Sequence, residues 1–171
     1  MRIDLHTHSR VSDGTDTPTS LVLKASQAGL DVIALTDHDS FGGVLEAQEA
    51  GRRIGVKVIA GIEISTQHAG RSVHLLGYGC NPLDRALNEE LGRIRVGRTE
   101  RLPGMVQALV DSGLDITIDD VFDAAGGAPA VGRPHVADAL VAKGYVPDRD
   151  AAFQDWLAEG HIGRVHAVAA D

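Results

Sequence analysis

The sequence has few of the features that mark secreted or membrane proteins. Its 171 residues include one cysteine, Cys80, so an internal disulfide framework is excluded. No apolar run approaches the roughly 20 residues that a membrane-spanning helix requires. The N-terminus also lacks the pattern of a signal peptide. These absences predict a cytoplasmic protein that does not enter a membrane.

Basic residues are also fewer than acidic residues. The chain has 16 lysines and arginines against 24 aspartates and glutamates, which gives a formal net charge of -8. This charge argues against a broad basic surface for long nucleic acid, but it allows a short anionic substrate if a metal ion supplies positive charge locally. Hydrophobic residues make up 43% of the chain, which is enough for a compact globular protein with a sizeable core. No pattern in the sequence specifies an oligomeric state.

The first 80 residues alternate between short apolar runs and helical segments. Their order predicts strand, helix, strand, helix, strand and strand. The runs Val32–Leu35 and Val56–Ala60 are almost entirely apolar, which is typical of parallel strands covered on both faces by crossover helices. The segment QHAGR at residues 67–71 predicts a hairpin turn, and His68 within it is expected to be exposed. Capping residues predict the ends of the two helices: Thr17, Pro18 and Gly29 for the first, Ser40 and Gly55 for the second.

After Asn81 the pattern becomes helical, with no convincing strand before the last residues. The sequence TIDD at residues 117–120 is a capping-box pattern. A further helix is predicted from Arg133, with proline at its first position. We expect residues 1–80 to form an α/β part and residues 81–171 a helical insertion, closely associated because no flexible linker separates them. The side chains of Phe153, Trp156 and Leu157 are expected to pack within the helical part.

Six polar residues are predicted to meet at one edge of the sheet. His6 and His8 lie two residues apart near the first strand, so their rings share one face. A lone histidine is best explained as a packed core residue, but ligands from four separate segments favour a bound cation. Because parallel strands place such residues at their C-terminal ends, the sequence predicts a metal site there. Its candidate ligands are His6, His8, Asp13, His38, Glu63 and His74.

Other polar residues near these segments leave two alternatives open. Asp4, Asp37 and Asp39 either orient imidazole rings or are solvated turn carboxylates. Serines also lie near the motifs, but their spacing to potential partners does not suggest a catalytic triad. We therefore expect them to support turns or ligands: Ser9, Ser12 and Ser65.

Four motifs in the first half resemble the metal-ligand motifs of the PHP (polymerase and histidinol phosphatase) superfamily: HTHSRVSDG, ALTDHDS, AGIEIS and VHLLGY. The segment GRPHVADALVAKGYV is similar to a segment found in one branch of this superfamily, which acts on nucleoside 3',5'-bisphosphates and short 5'-phosphorylated RNA. The resemblance implies the first half of a distorted (βα)7 barrel with a helical insertion. It also implies two or three divalent ions, manganese, iron or zinc. By motif, His6 and His8 would bind one ion, Glu63 would bridge it to a second ion held by His74, and Asp13 with His38 would bind a third.

The chemistry that this resemblance implies is hydrolysis of a phosphate ester by a metal-activated water. Expected substrates are nucleotides or short 5'-phosphorylated oligonucleotides, cleaved as monoesters or diesters. One alternative is a histidinol-phosphate phosphatase or an amidohydrolase-like enzyme, although amidohydrolases usually have a metal-bridging lysine where this chain has Glu63. A second alternative is a non-catalytic metal-binding module of the kind attached to polymerases.

Substrate-binding candidates lie in the helical half. Arg133 and His135 flank a proline at a helix start, where the helix dipole favours a phosphate, although a plain helix cap fits equally well. The resemblance favours substrate binding. Arginines also recur every three residues from Arg95. Such a run is typical of a solvated face, but Arg98 and Arg101 could reach a second phosphate.

Two late ligand motifs of the PHP superfamily are missing from the sequence. Family members carry a histidine before a proline and a D-x-H motif near their end. His161 and His166, the last histidines here, stand in neither motif. A closed (βα) barrel typically needs at least about 200 residues. We therefore expect this chain to be the N-terminal part of a longer protein, with only two protein ligands for each of two of its three ions.

Overall fold

The computed structural model describes residues 1–69 and 71–157, so the late histidines His161 and His166 lie outside the described residues. The chain divides into two compact units. The first comprises Met1–Arg95, and the described part of the second runs from Val96 to Leu157. The predicted domain boundary after residue 80 stays a prediction.

The first unit is built on one mixed four-stranded sheet with the order β1-β2-β3-β4. The β1–β2 and β2–β3 pairs are parallel, and the β3–β4 pair is an antiparallel hairpin. This arrangement confirms the predicted α/β class and the order of elements. The elements that begin in this unit are β1 (Ile3–Thr7), α1 (Pro18–Gln27), β2 (Val32–Leu35), α2 (Val44–Ile54), β3 (Lys57–His68), β4 (Arg71–Tyr78) and α3 (Arg85–Thr99).

Local sequence explains where α1 begins and ends. The Thr17 side chain accepts a hydrogen bond from the Ser20 N–H at 3.0 Å, and Pro18 occupies the first helical turn. Gly29 follows the helix with φ +73, a conformation that glycine adopts without strain. The caps predicted for α1 are therefore confirmed, as is Gly55 at the end of α2, where φ is +90.

The predicted start of α2 at Ser40 is wrong. The helix begins at Val44, after Gly43, and the Ser40 hydroxyl accepts a hydrogen bond from the Gly42 N–H at 3.1 Å. Ser40 therefore closes a local turn. The segment between β2 and α2 stays outside the helix because Asp39 has a left-handed backbone, with φ +50, and two glycines follow.

The core of the first unit lies between the sheet and its crossover helices. All four residues of β2 are buried, as expected of a central parallel strand. Ile33, Leu35 and Ile62 are fully buried, and Leu91 of α3 belongs to the same core.

The described part of the second unit is helical. It contains α4 (Leu102–Asp111), α5 (Ile118–Ala125), α6 (Arg133–Ala142), α7 (Arg149–Ala152) and a π-helical turn, Phe153–Leu157. Leu157 is buried in its core, and Phe153 and Trp156 pack against that core, as predicted.

α6 begins at Arg133, as predicted, but the proline lies one residue later in the helix than predicted. Thr117 caps α5 and forms the predicted capping box with Asp120. In α6, however, Arg133 takes the first helical position and Pro134 the second.

No helix among residues 1–69 and 71–157 is both long and apolar enough to cross a membrane.

Gly51 provides a test of how α2 packs on β3. A Cβ at Gly51 would lie 2.5 Å from the Val56 carbonyl oxygen and 2.7 Å from Val58 Cγ2. We expect Gly51→Ala to destabilise the protein by about 1–3 kcal/mol through overpacking, although alanine is intrinsically better than glycine in a helix by about 1 kcal/mol. Urea denaturation measures the change.

Gly92→Ala in α3 is the matched control. The nearest atom to a Cβ there is Arg95 Nη2 at 3.7 Å, an ordinary contact, so this variant should gain up to about 1 kcal/mol from helix propensity. Equal stability of the two variants would contradict the close packing of α2 against β3.

Candidate metal centre

The six predicted ligands come from four strands and the segments that follow them. His6 lies in β1, and His8 follows the end of that strand. Asp13 is in the next loop. His38 follows β2 and forms an isolated parallel bridge with Glu63 of β3. His74 is on β4.

Glu63 lies in the middle of β3, not near its end as predicted. β3 pairs with β2 only up to Ala60, and from Gly61 onwards it pairs with β4. Because Ser65 faces His74 in this register, Glu63 and His74 are diagonal neighbours on the same face of the hairpin. The length of β3 thus brings a candidate ligand on β4, His74, close to His38, which follows β2.

The Glu63 carboxylate is the point where the imidazoles converge. Its Oε2 lies 3.0 Å from His6 Nε2, 3.0 Å from His8 Nε2 and 3.6 Å from His38 Nε2. Its Oε1 lies 2.5 Å from His74 Nδ1. The side chain of Glu63 is only 6% exposed. A buried carboxylate thus faces four ring nitrogens.

Asp13 provides a second carboxylate beside two of these rings. One oxygen lies 3.2 Å from His8 Nδ1 and the other 3.4 Å from His38 Nε2. Neighbouring rings are close throughout the cluster, with 5.0 Å between the centroids of His6 and His8 and 4.9 Å between those of His8 and His38.

These contacts define three overlapping groups, in each of which three candidate ligand atoms lie within 4.8 Å of one another. The structure therefore brings all six predicted ligands together, and their role as metal ligands stays a prediction. The groups are His6/His8/Glu63, His8/Asp13/His38 and His38/Glu63/His74.

The donor set fits divalent metal ions. Imidazole nitrogens together with carboxylate oxygens, and no thiolate among them, suit manganese, iron and zinc. Each of the two ions that were expected to have only two protein ligands has a third candidate nearby: His8 beside Asp13 and His38, and His38 beside Glu63 and His74. If each imidazole binds one ion and each carboxylate at most two, the six residues supply at most about eight bonds. Three ions with three ligands each would need nine, so the groups compete for shared ligands.

The cluster also shifts the pKa values of Glu63 and His8. Burial favours the protonated form of Glu63, but hydrogen bonds from His74, His8 and His6 and the charge of His38 outweigh it and hold the pKa well below its ordinary value. Burial opposes a charge on His8, yet the hydrogen bond to Glu63 and the nearby carboxylates raise its pKa above 6.5. Glu63 is thus ionised, whereas His8 holds its proton more tightly than a free imidazole does.

The carboxylates on either side of His38 are buried, so their interpretation as solvated turn residues is wrong. Asp37 is 1% exposed and Asp39 is fully buried. Burial raises the pKa of Asp37 despite hydrogen bonds from Ser9 and Ser12. The nearly continuous apolar run of β2 is the signal in the sequence that could have indicated their burial. Asp4, by contrast, accepts a hydrogen bond from the His6 N–H at 3.0 Å in an exposed position.

The four substrate-binding candidates lie in the second unit. His68, which was expected only to be exposed, is exposed at the end of β3. The ring of His135 is buried and its Nδ1 accepts a hydrogen bond from the Gly132 N–H at 3.1 Å, which caps α6. Arg133 lies over the Phe153 ring, 5.9 Å from its centroid.

The arginine run does not form a solvated face. Arg98 is 7% exposed, and its Nη2 lies 2.8 Å from the position of a Cβ on Gly132, so it adjoins the N-terminus of α6. Arg101 is half-buried and precedes α4. Arg95, in the first unit, donates from Nη1 to the Asp39 carbonyl oxygen at 2.6 Å. Binding of substrate by Arg98, Arg101, Arg133 and His135 stays a prediction.

Comparison with known proteins agrees with this architecture. The chain is 37% identical over 163 residues to a 3',5'-nucleoside bisphosphate phosphatase of Chromobacterium violaceum, covering 95% of this chain and 57% of that protein. It is 35% identical over 170 residues to a 5'-3' exoribonuclease of Haemophilus influenzae, covering 99% of this chain and 61% of that protein. The solved structure of an amidohydrolase from C. violaceum, with bound sulfate and no metal, superposes with a TM-score of 0.91 at 36% identity, covering 99% of this chain and 60% of that one.

The chain thus spans about 60% of the length of these relatives, and its fold is the corresponding part of theirs. The family model for the PHP domain matches residues 4–111, a span that includes all six candidate ligands. The chain therefore belongs to the PHP domain family.

Proposed function

We propose that this chain carries the metal centre of a cytoplasmic phosphoesterase that hydrolyses nucleotides or short 5'-phosphorylated oligonucleotides. The observation that carries the proposal is the buried Glu63 carboxylate, which faces four imidazole nitrogens at 2.5–3.6 Å. Such a cluster is costly as packing, because the rings compete for the same acceptor and each needs a partner for its polar atoms. A bound cation accounts for the convergence.

Six residues would hold the ions: His6 and His8 with Glu63, His74 with the other Glu63 oxygen, and His38 with Asp13. Bound divalent ions would supply positive charge for the phosphoryl oxygens and activate water for attack on phosphorus. The protein residues would orient the ions. The hydrogen bonds that keep Glu63 ionised prepare it for this role.

The charge of the centre favours an anionic substrate. Glu63 and Asp13 are the two carboxylates among the candidate ligands, so two or more divalent ions would leave net positive charge. A phosphate ester suits such a site better than a neutral amide does. The named activities of the relatives, a bisphosphate phosphatase and a 5'-3' exoribonuclease, and the sulfate in the solved relative agree with this preference.

An amidohydrolase-like activity is the second candidate, because the solved relative bears that name. In this chain, the position expected for a metal-bridging lysine carries Glu63, whose carboxylate is the centre of the cluster. The phosphoesterase is therefore preferred. Measurements of phosphate release and metal content distinguish this activity from hydrolysis of histidinol phosphate and from a non-catalytic metal-binding role.

Replacing a central imidazole tests the metal assignment. His8→Ala and His38→Ala should lower phosphate release by orders of magnitude and reduce bound metal, because each ring takes part in two of the three groups. Metal content and phosphate release with manganese would be measured on nucleoside 3',5'-bisphosphates, 5'-phosphorylated dinucleotides and histidinol phosphate.

His68→Ala is the matched control, since His68 is an exposed histidine of the same sheet. It should leave metal content and turnover unchanged. Normal turnover and metal content in the two cluster variants would contradict the assignment. A substrate preference for histidinol phosphate would replace the proposed nucleotide specificity, and metal binding without any hydrolysis would favour the non-catalytic module.

Metal binding should depend on pH through His8. Because the pKa of His8 is raised above 6.5, this ring is protonated in part of the metal-free protein near neutral pH and must lose its proton to bind an ion. Affinity should therefore rise with pH and level off above the pKa of His8, whereas Glu63 is already ionised. Titration calorimetry in buffers of different ionisation enthalpy should detect proton release. Release that is unchanged in His8→Gln would contradict this origin.

The N-terminus of α6 provides a separate test of substrate binding. If Arg133 contacts a phosphate, Arg133→Gln should raise KM or lower kcat/KM by about tenfold, a loss of about 1.4 kcal/mol, while metal content stays unchanged. His135→Asn tests the same role for a ring that also caps the helix. Arg85→Gln is the control, because Arg85 is an exposed arginine paired with Glu89. If His135→Asn has the same kinetics as Arg85→Gln, His135 serves only as a helix cap. If Arg133→Gln does, Arg133 does not contact a phosphate.

A further inference from the structure

Two aspartates on either side of His38 make the same two-point contact with a serine. Asp37 Oδ1 accepts a hydrogen bond from the Ser9 N–H at 2.7 Å, and its Oδ2 accepts one from the Ser9 hydroxyl at 2.7 Å. Asp39 Oδ1 accepts from the Ser65 N–H at 2.7 Å, and its Oδ2 accepts from the Ser65 hydroxyl at 2.8 Å. Each carboxylate thus binds both the backbone and the side chain of one serine.

The two serines belong to different ligand-bearing segments. Ser9 follows His8 and begins the loop that carries Asp13. In the same loop, the Ser12 hydroxyl donates to Asp37 Oδ1 at 2.7 Å and lies 3.3 Å from His8 Nδ1. Asp37 therefore joins the segment of His38 to the loop that follows β1.

Ser65 connects His38 to the β3–β4 hairpin. It lies two residues beyond Glu63 on β3 and faces His74 in the hairpin register. Asp39 therefore joins the segment of His38 to the strands that carry Glu63 and His74. Together the two contacts hold all three ligand-bearing segments around one short turn.

The turn itself is anchored at a further point. Asp39 has a left-handed backbone, with φ +50, and its carbonyl oxygen accepts the hydrogen bond from Arg95 Nη1 at 2.6 Å. Both aspartates are almost fully buried. Buried carboxylates need several donors to offset their lost hydration, and in both cases the donors come from the segments being joined.

We propose that Asp37 and Asp39 are positioning residues that set the spacing of the candidate metal ligands through Ser9 and Ser65. The inference rests on the proposed function, because it concerns the affinity of that same metal centre. Residues that orient metal ligands typically contribute about 10–100-fold to metal affinity or activity. Backbone hydrogen bonds also join the turn to Glu63, from the Asp39 N–H to the Glu63 carbonyl oxygen at 3.0 Å and from the Glu63 N–H to the Asp37 carbonyl oxygen at 3.3 Å, so the serine contacts add side-chain links to this backbone bridge.

The test compares two β-branched residues at position 65 that differ in one hydroxyl. Ser65→Thr keeps the donor to Asp39, and Ser65→Val removes it. We expect Ser65→Val to weaken manganese binding by about tenfold or more, whereas Ser65→Thr stays close to the unchanged protein. Titration calorimetry with manganese gives the affinity, and circular dichroism shows whether each variant is folded. If Ser65→Val does not fold, Ser65→Ala takes its place, because it removes the same hydroxyl without adding bulk.

Glu46→Gln is the matched control for a purely structural effect. Glu46 Oε1 accepts hydrogen bonds from the Thr19 N–H at 3.1 Å and the Thr19 hydroxyl at 2.8 Å, but it joins α1 to α2. This variant should lose stability without losing manganese affinity. A folded Ser65→Val or Ser65→Ala variant that binds manganese as tightly as Ser65→Thr would overturn the inference alone. Absence of manganese binding in the unchanged protein would overturn the proposed function, and this inference with it.

Discussion

An ionised carboxylate buried among imidazole rings is the constraint on which the first unit depends. Glu63 is 6% exposed at its side chain, yet its hydrogen bonds with His74, His8 and His6 keep it charged. Such a group is tolerated only where donors or cations surround it. β3 therefore extends beyond its pairing with β2 and turns into β4, which places His74 beside Glu63. The parallel strands supply the remaining rings at their ends.

This arrangement relates the fold to the proposed chemistry. Parallel strands bring His6, His8 and His38 to one edge of the sheet, and the hairpin adds a ligand from the antiparallel side. The three groups share candidate ligands, so an ion bound in one would change what the others could bind. With two carboxylates among the six candidate ligands, a bound set of divalent ions would stay positively charged, which is the property that binding of a phosphate ester requires.

Much of the fold and of the candidate site could be predicted from the sequence, because the sequence patterns that indicate them are local. Continuous apolar runs identified β2 and β3, Thr17 and Gly29 marked the ends of α1, and the ligand motifs identified the cluster. The burial of Asp37 and Asp39 was missed because polar residues usually face solvent, although the apolar run of β2 before them is a signal for it, and the burial of Arg98 depends on partners distant in the sequence. The predicted start of α2 was wrong for a related reason. Ser40 is a good capping residue, but its hydroxyl accepts a hydrogen bond within a local turn.

The most direct test of the central claim is anomalous X-ray diffraction from crystals of the manganese-loaded protein. The account predicts a manganese peak ligated by His6, His8 and Glu63, and a second peak on the His74 side of the same carboxylate. Clear density for Glu63 and its four histidines, without a manganese peak beside this carboxylate, would contradict it.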